Sequence, residues 1–367
     1  MKIVIDAHIP YLNGVLDAYA DVVYVPAEKI DNASIKDADV LIIRTPTKCT
    51  PALLEGSKCK FIMTASIGMD HIDTDYCVEH GIMWRNSPGC NAYSVVQYVL
   101  ASLLLYCDKK SLSPADLTVG VVGVGNVGKA VCDYLSKAGF PLLLNDPPRA
   151  EREGEEGFVS LSEIAEKCDV VTLHTPLIIK GGTHPTKHLA DSAFFNSLVR
   201  KPLFINSARG GVTDDKALLQ AKLDGKIADF VIDTWENEPN GIYTPLIDEA
   251  FIATSHIAGY SDDGKFNGSR TSVEEVAKYL GVDIEFTPNR AEPENCVIDL
   301  SGSKNPLLDA VLATYNPMDD FADLRKNPSN FERLRVEYPF RREFGAYKVG
   351  GVDNDNLEIL KKLGFNI

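Results

Sequence analysis

Short β-branched runs alternate with polar or helix-compatible stretches through most of the chain. The first runs are residues 3–5, 22–25, 40–43 and 61–64, and strands that alternate with helices build a parallel sheet covered on both faces. This first unit is expected to end near Pro88 and Gly89. Residues 92–106 have helical length and are apolar all round, which predicts a buried helix crossing between domains. After the loop containing Pro114 the alternation resumes. Strands are expected at residues 119–122, 142–144, 170–173, 203–206, 230–233 and 252–254, enough for a full doubly wound sheet. Beyond about Asp283 the pattern turns to Pro- and Asn-rich connections, a charged stretch over residues 319–342 and a last strand-helix pattern ending at residues 361–367. That tail is long enough for a small third domain.

A chain of 367 residues exceeds what one hydrophobic core serves, which fits several domains. Its net charge of −15, with no long basic run, argues against a nucleic-acid partner. An anionic small molecule remains compatible, because a few local cations in a pocket suffice. The eight cysteines are scattered without a C-x-x-C pair and read as buried free thiols of a reducing cytoplasm, with no metal site. The opening residues lack the basic stretch and apolar core of a signal peptide. The longest apolar run, residues 95–106, is interrupted by Gln97 and falls short of the ~20 residues that span a bilayer. No membrane partner is expected.

The most informative motif is Gly123-Val-Gly125-Asn126-Val127-Gly128, placed directly after the strand at 119–122 and before a helical repeat at Val127, Val131, Leu135 and Ala138. In the order strand, glycine turn, helix, backbone N–H groups can approach a pyrophosphate at a helix N-terminus. The next strand ends at Asp146, at the spacing of a carboxylate that hydrogen-bonds an adenosine ribose and opposes a 2′-phosphate. NAD is therefore the expected cofactor, with nearby Arg149 as the residue that could reverse the preference. Thr175 and Asp233 stand at later strand ends, where such folds bind ligands.

Three further polar residues follow late strands: Arg209, Glu238 and His256. Removing a hydride from an alcohol needs a base for the hydroxyl proton and a cation for a neighbouring carboxylate. An imidazole exchanges protons near neutral pH, so His256 suits the base. Glu238 would orient the ring, and Arg209 can bind a carboxylate bidentately.

Taken with His174-Thr-Pro-Leu, Asn206-Ser-Ala-Arg-Gly, Glu238-Pro and His256-Ile-Ala-Gly, these residues resemble the D-isomer-specific 2-hydroxyacid dehydrogenase family from the first strand to about Tyr279. The resemblance implies an α/β fold of two doubly wound parallel-sheet domains, a flavodoxin-like substrate domain (1–94 and 256–285) and a Rossmann NAD domain (95–255). A small α+β dimerisation domain (286–367) would follow. It also implies that Arg209, Glu238 and His256 are catalytic, and that Ser207 and Gly259 join the cofactor-binding residues. Other stretches, Arg44-Thr-Pro-Thr-Lys48, Ser87-Pro-Gly-Cys-Asn-Ala92, Asp146-Pro-Pro-Arg-Ala150 and the tail, are similar to a branch of the family that forms homodimers and acts on a small phosphorylated D-2-hydroxy acid. On that similarity Thr45, Ser66 and Tyr260 bind substrate, with Ser66 where Thr is expected. Arg44 is a candidate for the phosphate, as are Lys48, Arg341 and Arg342. The opening Asp6-Ala7-His8 departs from the acidic pattern expected there. Another dehydrogenase of the family, such as one acting on 3-phosphoglycerate, and an NAD-sensing corepressor are the alternatives.

Overall fold

The computed structural model describes residues 1–179 and 183–367, which fall into two compact units. Unit one comprises Met1–Asn91 and Ser261–Ala291. Its strands β1 (Lys2–Asp6), β2 (Asp21–Val25), β3 (Val40–Ile43), β4 (Phe61–Thr64) and β5 (Met83–Arg85) form one parallel sheet in the order β2-β1-β3-β4-β5. This is the flavodoxin-like order. Successive side chains leave on opposite faces, so Ile3, Ile5, Val40 and Ile42 enter one core while Val4, Leu41 and Ile43 enter another. Helix Asp262–Leu280 returns from far along the chain to cover the first of these with Val273 and Val276. It comes so close that a side chain at Gly268 would lie 2.7 Å from the Ala65 carbonyl oxygen. The edge strand β5 escapes a periodicity search because its three residues are partly exposed and include Trp and Arg.

Unit two comprises Ala92–Tyr260 and Glu292–Ile367. Strands β6 (Val119–Val122), β7 (Leu142–Asn145), β8 (Val170–Leu173), β9 (Leu203–Asn206), β10 (Asp229–Ile232) and β11 (Ile252–Ala253) form a parallel sheet in the order β11-β10-β9-β8-β6-β7. The strand order reverses at β6, the position where open α/β sheets place ligands. Helix Ala92–Lys110 is buried as its composition demands and packs on helix Asn126–Lys137. Gln97, which interrupts its apolar run, donates to Thr314 Oγ1 (2.8 Å) and to the Arg342 carbonyl (3.1 Å) of the tail, while its Oε1 has no partner among the described residues. No described helix is long and apolar enough to cross a membrane.

The tail holds a two-stranded parallel sheet, β12 (Val297–Asp299) with β13 (Lys348–Gly350), and helices Pro306–Thr314, Pro317–Lys326, Phe331–Val336 and Asn354–Lys362. Its apolar residues Ile298, Leu300, Leu357, Leu360, Leu363 and Phe365 read in the sequence as a face needing a partner's cover. In the fold all but the half-buried Leu357 are buried in the chain itself, in one continuous core with the six-stranded sheet. The cysteines are free thiols, six of them buried.

Candidate active site

The cofactor cradle begins one residue beyond β6. Gly123 has φ +88°, and a side chain there would lie 2.8 Å from the backbone and side chain of His174 and Thr175. A side chain at Gly128 would overlap the Gly123 carbonyl oxygen, so the first turn of helix Asn126–Lys137 can press on the loop only without one. Gly125 faces open space, and as N-cap it supplies no side-chain acceptor to the helix's first N–H groups. Those donors and the helix dipole suit a pyrophosphate. Two hydroxyls, Thr175 Oγ1 and Ser207 Oγ, are buried with no hydrogen-bond partner among the described residues. Unmet buried donors of this kind are rare in a finished interior and fit a polar ligand.

Asp146 stands at the end of β7, where its Oδ2 accepts the Val124 N–H (2.7 Å) and Oδ1 accepts the Arg149 N–H (3.0 Å). Arg149 is engaged elsewhere. It grips Glu153 with Nε and Nη2, donates to the Val124 carbonyl and lies 5.1 Å from the Phe158 ring centroid. The Glu153 carboxyl is drawn down to about 2, chiefly by that Arg149 contact and then by Arg152. An arginine held this way is a poor receiver for a 2′-phosphate.

Strands β9, β10 and β11 are neighbours, so the loops that follow them are neighbours too. After β9, Asn206 folds its loop back by accepting from the Ala208 N–H and donating to the Arg209 carbonyl and Thr213. Gly210 then lies against the backbone of Trp235, whose carbonyl oxygen a Cβ would overlap. This contact brings the half-buried Arg209 beside the loop after β10. In that loop Glu238 Oε2 accepts the Trp235 N–H (3.1 Å), and Oε1 meets His256 Nδ1. Burial pushes the Glu238 carboxyl up, but the bond to His256, the Trp235 N–H and the charge of Arg335 together hold it below the usual carboxylate range. The imidazole is thus tied at Nδ1, and Nε2 is the nitrogen available for proton exchange.

His256 itself has φ +58°, a conformation that needs support from its surroundings. Asp233, one residue past β10, supplies part of it: its carboxylate accepts the N–H groups of Ile257 (2.8 Å) and Ala258 (3.0 Å) and the Thr254 hydroxyl (2.6 Å). Arg341 supplies the rest. Its guanidinium donates to the carbonyls of Ala258 (2.7 Å) and Ile257 (3.4 Å) and lies 4.2 Å from the Tyr315 ring centroid. A buried cation in a stretch that reads as a solvated charged segment was invisible to periodicity; the flanking Tyr338-Pro-Phe340 was the one available signal.

Unit two therefore brings Arg209, Glu238, His256, Gly259 and Tyr260 onto neighbouring loops. Thr45, Ser66 and Arg44 belong to unit one. There Thr45 is exposed, Ser66 bonds the Thr64 hydroxyl (2.7 Å) and donates to the Gly68 carbonyl, and Arg44 is paired to the fully buried Asp6 (2.7 Å). The opening Asp6 thus orients an arginine, and His8 beside it is largely exposed.

Residues 106–258 match the family model of the D-isomer specific 2-hydroxyacid dehydrogenase NAD binding domain. Fold and match define an NAD-dependent oxidoreductase of that class, acting on a CH–OH group. Residues 291–364 match a second family, described only as a domain of unknown function. The chain is 46% identical to an erythronate-4-phosphate dehydrogenase of Bacteroides thetaiotaomicron, over 96% of this chain and all of that protein. It is 39% identical to the Escherichia coli K12 enzyme of the same name, over 100% and 98%. The chain belongs to the erythronate-4-phosphate dehydrogenase family. Among solved structures, a D-lactate dehydrogenase from Aquifex aeolicus with NAD and lactic acid superposes with TM-score 0.63 at 25% identity, covering 79% of this chain and 100% of that one. An NAD-bound 3-phosphoglycerate dehydrogenase from Entamoeba histolytica superposes with TM-score 0.64 at 23% identity, covering 79% and 99%.

Proposed function

We propose that this chain oxidises 4-phospho-D-erythronate to 3-hydroxy-2-oxo-4-phosphooxybutanoate, on the route to pyridoxal 5′-phosphate. The observation that carries the reading is the Glu238–His256 pair beside Arg209, on the ends of three adjacent strands of the sheet that bears the glycine cradle. NAD held in the glycine cradle would supply the acceptor for the hydride leaving C2. His256 Nε2 takes the proton of the C2 hydroxyl as the carbonyl forms, and Glu238 at Nδ1 stabilises the resulting imidazolium. Arg209 binds the substrate carboxylate and polarises the developing carbonyl oxygen. Thr45, Ser66, Tyr260 and Arg44 complete the substrate contacts.

For the cofactor, Gly123, Gly125, Asn126, Val127 and Gly128 hold the pyrophosphate and Asp146 the adenosine ribose. Thr175, Ser207 and Gly259 line the rest of the nucleotide, and Asp233 fixes the loop that carries Gly259. The purified enzyme should form NADH with 4-phosphoerythronate and show lower kcat/KM for 3-phosphoglycerate and for unphosphorylated erythronate. Preference for 3-phosphoglycerate would defeat the substrate assignment, and absence of turnover on the whole panel would favour an NAD-sensing role.

We also infer a cytoplasmic homodimer in which residues 286–367 act as the dimerisation domain. The support is that the tail leaves large apolar side chains exposed, among them Val297, Val336 and Phe340. Replacing all three with serine should shift the sedimentation mass to that of a monomer; an unchanged dimer would move the interface elsewhere.

A further inference from the structure

The substrate reading places a second anion two carbons beyond the reacting carbon, and Arg209 is committed to the carboxylate. Of the tail cations considered from the sequence, Arg341 is enclosed with its Nη2 bound to the carbonyls of the His256 loop and only its Nε without a partner among the described residues, and buried Arg342 is 3.8 Å from Glu292. Arg335, in helix Phe331–Val336, is different. Its Nη2 makes only a long contact, 3.4 Å, to the hydroxyl of Tyr260, four residues past the catalytic histidine. Its Nε is buried and has no hydrogen-bond partner among the described residues. The one ion pair it makes among the described residues, Nη1 to Glu332 at 2.9 Å, goes to a side chain that is itself 55% exposed. A pair of that kind contributes little and is readily exchanged for a better anion. The charge of Arg335 also reaches Glu238, which locates it beside the catalytic pair.

The solved relatives superpose on only 79% of this chain. Arg335 lies in the tail region that the second family match covers. A cation delivered to a shared catalytic loop by a family-specific segment is a means of reading a family-specific group on the substrate.

We propose that Arg335 is a specificity-determining residue, its guanidinium binding the distal phosphate of the substrate together with the Tyr260 hydroxyl. The guanidinium carries an unspent N–H donor at Nε next to the weakly held Nη2, the parallel pair that matches two phosphate oxygens. The proposal rests on the substrate assignment above. It adds that the tail takes part in recognition as well as assembly.

The test compares Arg335→Gln and Arg335→Lys with the wild type as NAD-loaded full-length enzymes. Steady-state kinetics on 4-phosphoerythronate and on unphosphorylated erythronate are measured beside direct titration with inorganic phosphate. In Arg335→Gln, KM for the phosphorylated acid should rise roughly tenfold to a hundredfold, as for loss of a charged hydrogen bond. The unphosphorylated acid should be unaffected, phosphate binding should weaken in parallel, and Arg335→Lys should recover part of both. Equal losses on the two acids would overturn the proposal as a structural effect, and so would no loss on either. A wild type inert toward 4-phosphoerythronate would instead defeat the proposed substrate. Arg335 is then judged by the phosphate titration alone: weakened binding in Arg335→Gln upholds it as the anion reader, and unchanged binding overturns it.

Discussion

The carboxyl ends of β1 and β6 are the same place in two parallel sheets, yet they are built to opposite ends. At β1 the chain delivers Asp6, fully buried, and satisfies it: Arg44 pairs with the carboxylate and the His8 N–H donates to it (3.0 Å). At β6 the chain delivers glycine, a helix start without a cap, and the unpartnered hydroxyls of Thr175 and Ser207 close by in the sequence of strand ends. A doubly wound sheet offers a crevice wherever its strand order reverses. The difference between the two ends shows that a crevice becomes a nucleotide site where polar groups are left unmet, and a structural joint where they are paired.

The same contrast holds within unit two. Asp233 and Arg341 have their donors and acceptors turned inward on the His256 loop, one taking its N–H groups and the other filling its carbonyls. Arg335 stands beside that loop with only a long contact to it, 3.4 Å to the Tyr260 hydroxyl. Structural and chemical roles are divided between residues of identical type, with Arg341 on one side of the division and Arg335 on the other.

The sharpest way to break this comparison is at the loop that both kinds of residue serve. His256→Asn keeps a residue type that tolerates positive φ and removes the proton acceptor. Turnover should fall by ~10² to 10⁴ while NAD binding, read by fluorescence titration, is kept. Wild-type turnover would make His256 a structural residue. Gly128→Ala places a methyl on the Gly123 carbonyl and forces the cradle open, an overpacking of about 1–3 kcal/mol. It should weaken NAD binding by roughly tenfold or more, whereas Gly125→Ala, whose side chain meets only open space, should leave the apo fold's melting temperature unchanged.

Arg341→Met tests the inward-facing class. It keeps much of the bulk against Tyr315 and deletes the donors to Ile257 and Ala258, so His256 loses half its support. We expect kcat to fall by about tenfold with little change in KM, since the geometry of proton transfer is affected and substrate affinity is not. A pure KM effect would make Arg341 a substrate contact. The smallest effect concerns Asp215, whose carboxyl burial and then the charges of Glu236 and Glu238 push up to about 7. A carboxyl whose folded value is raised binds more protons folded than unfolded, so its contribution is full below the ordinary carboxylate value and is lost as pH rises from about 4 to about 7. Asp215→Asn should remove that slope and raise the unfolding midpoint at pH 8 by about a few degrees relative to pH 5. An unchanged pH dependence of melting would show that Asp215 stays ionised in the fold.

Much of this architecture was legible residue by residue. Apolar runs located ten of the strands of the two large sheets to within a residue or two, because a strand buried on both faces is apolar along nearly its whole length, as in β3 and β8. The glycine spacing located the cradle because no other side chain fits beside Gly123 and Gly128. Edge strand β5 was missed for the converse reason: a strand covered on one side only has no such demand on its composition.

By itself the sequence determined the elements, the order strand, glycine turn, helix, and the types of residue available at each strand end, since these depend on near neighbours along the chain. Only the tertiary structure decided what each polar residue does. Asp233 and Glu238 are both acids after β10, but one holds the N–H groups of the His256 loop and the other binds His256; Arg335 and Arg341 are six residues apart, yet Arg341 grips the Ala258 carbonyl at 2.7 Å and Arg335 only reaches the Tyr260 hydroxyl at 3.4 Å. Those outcomes depend on partners brought from β11, from the loop after β9 and from the tail. A hydrogen bond has a range of a few ångströms in space and none along the sequence.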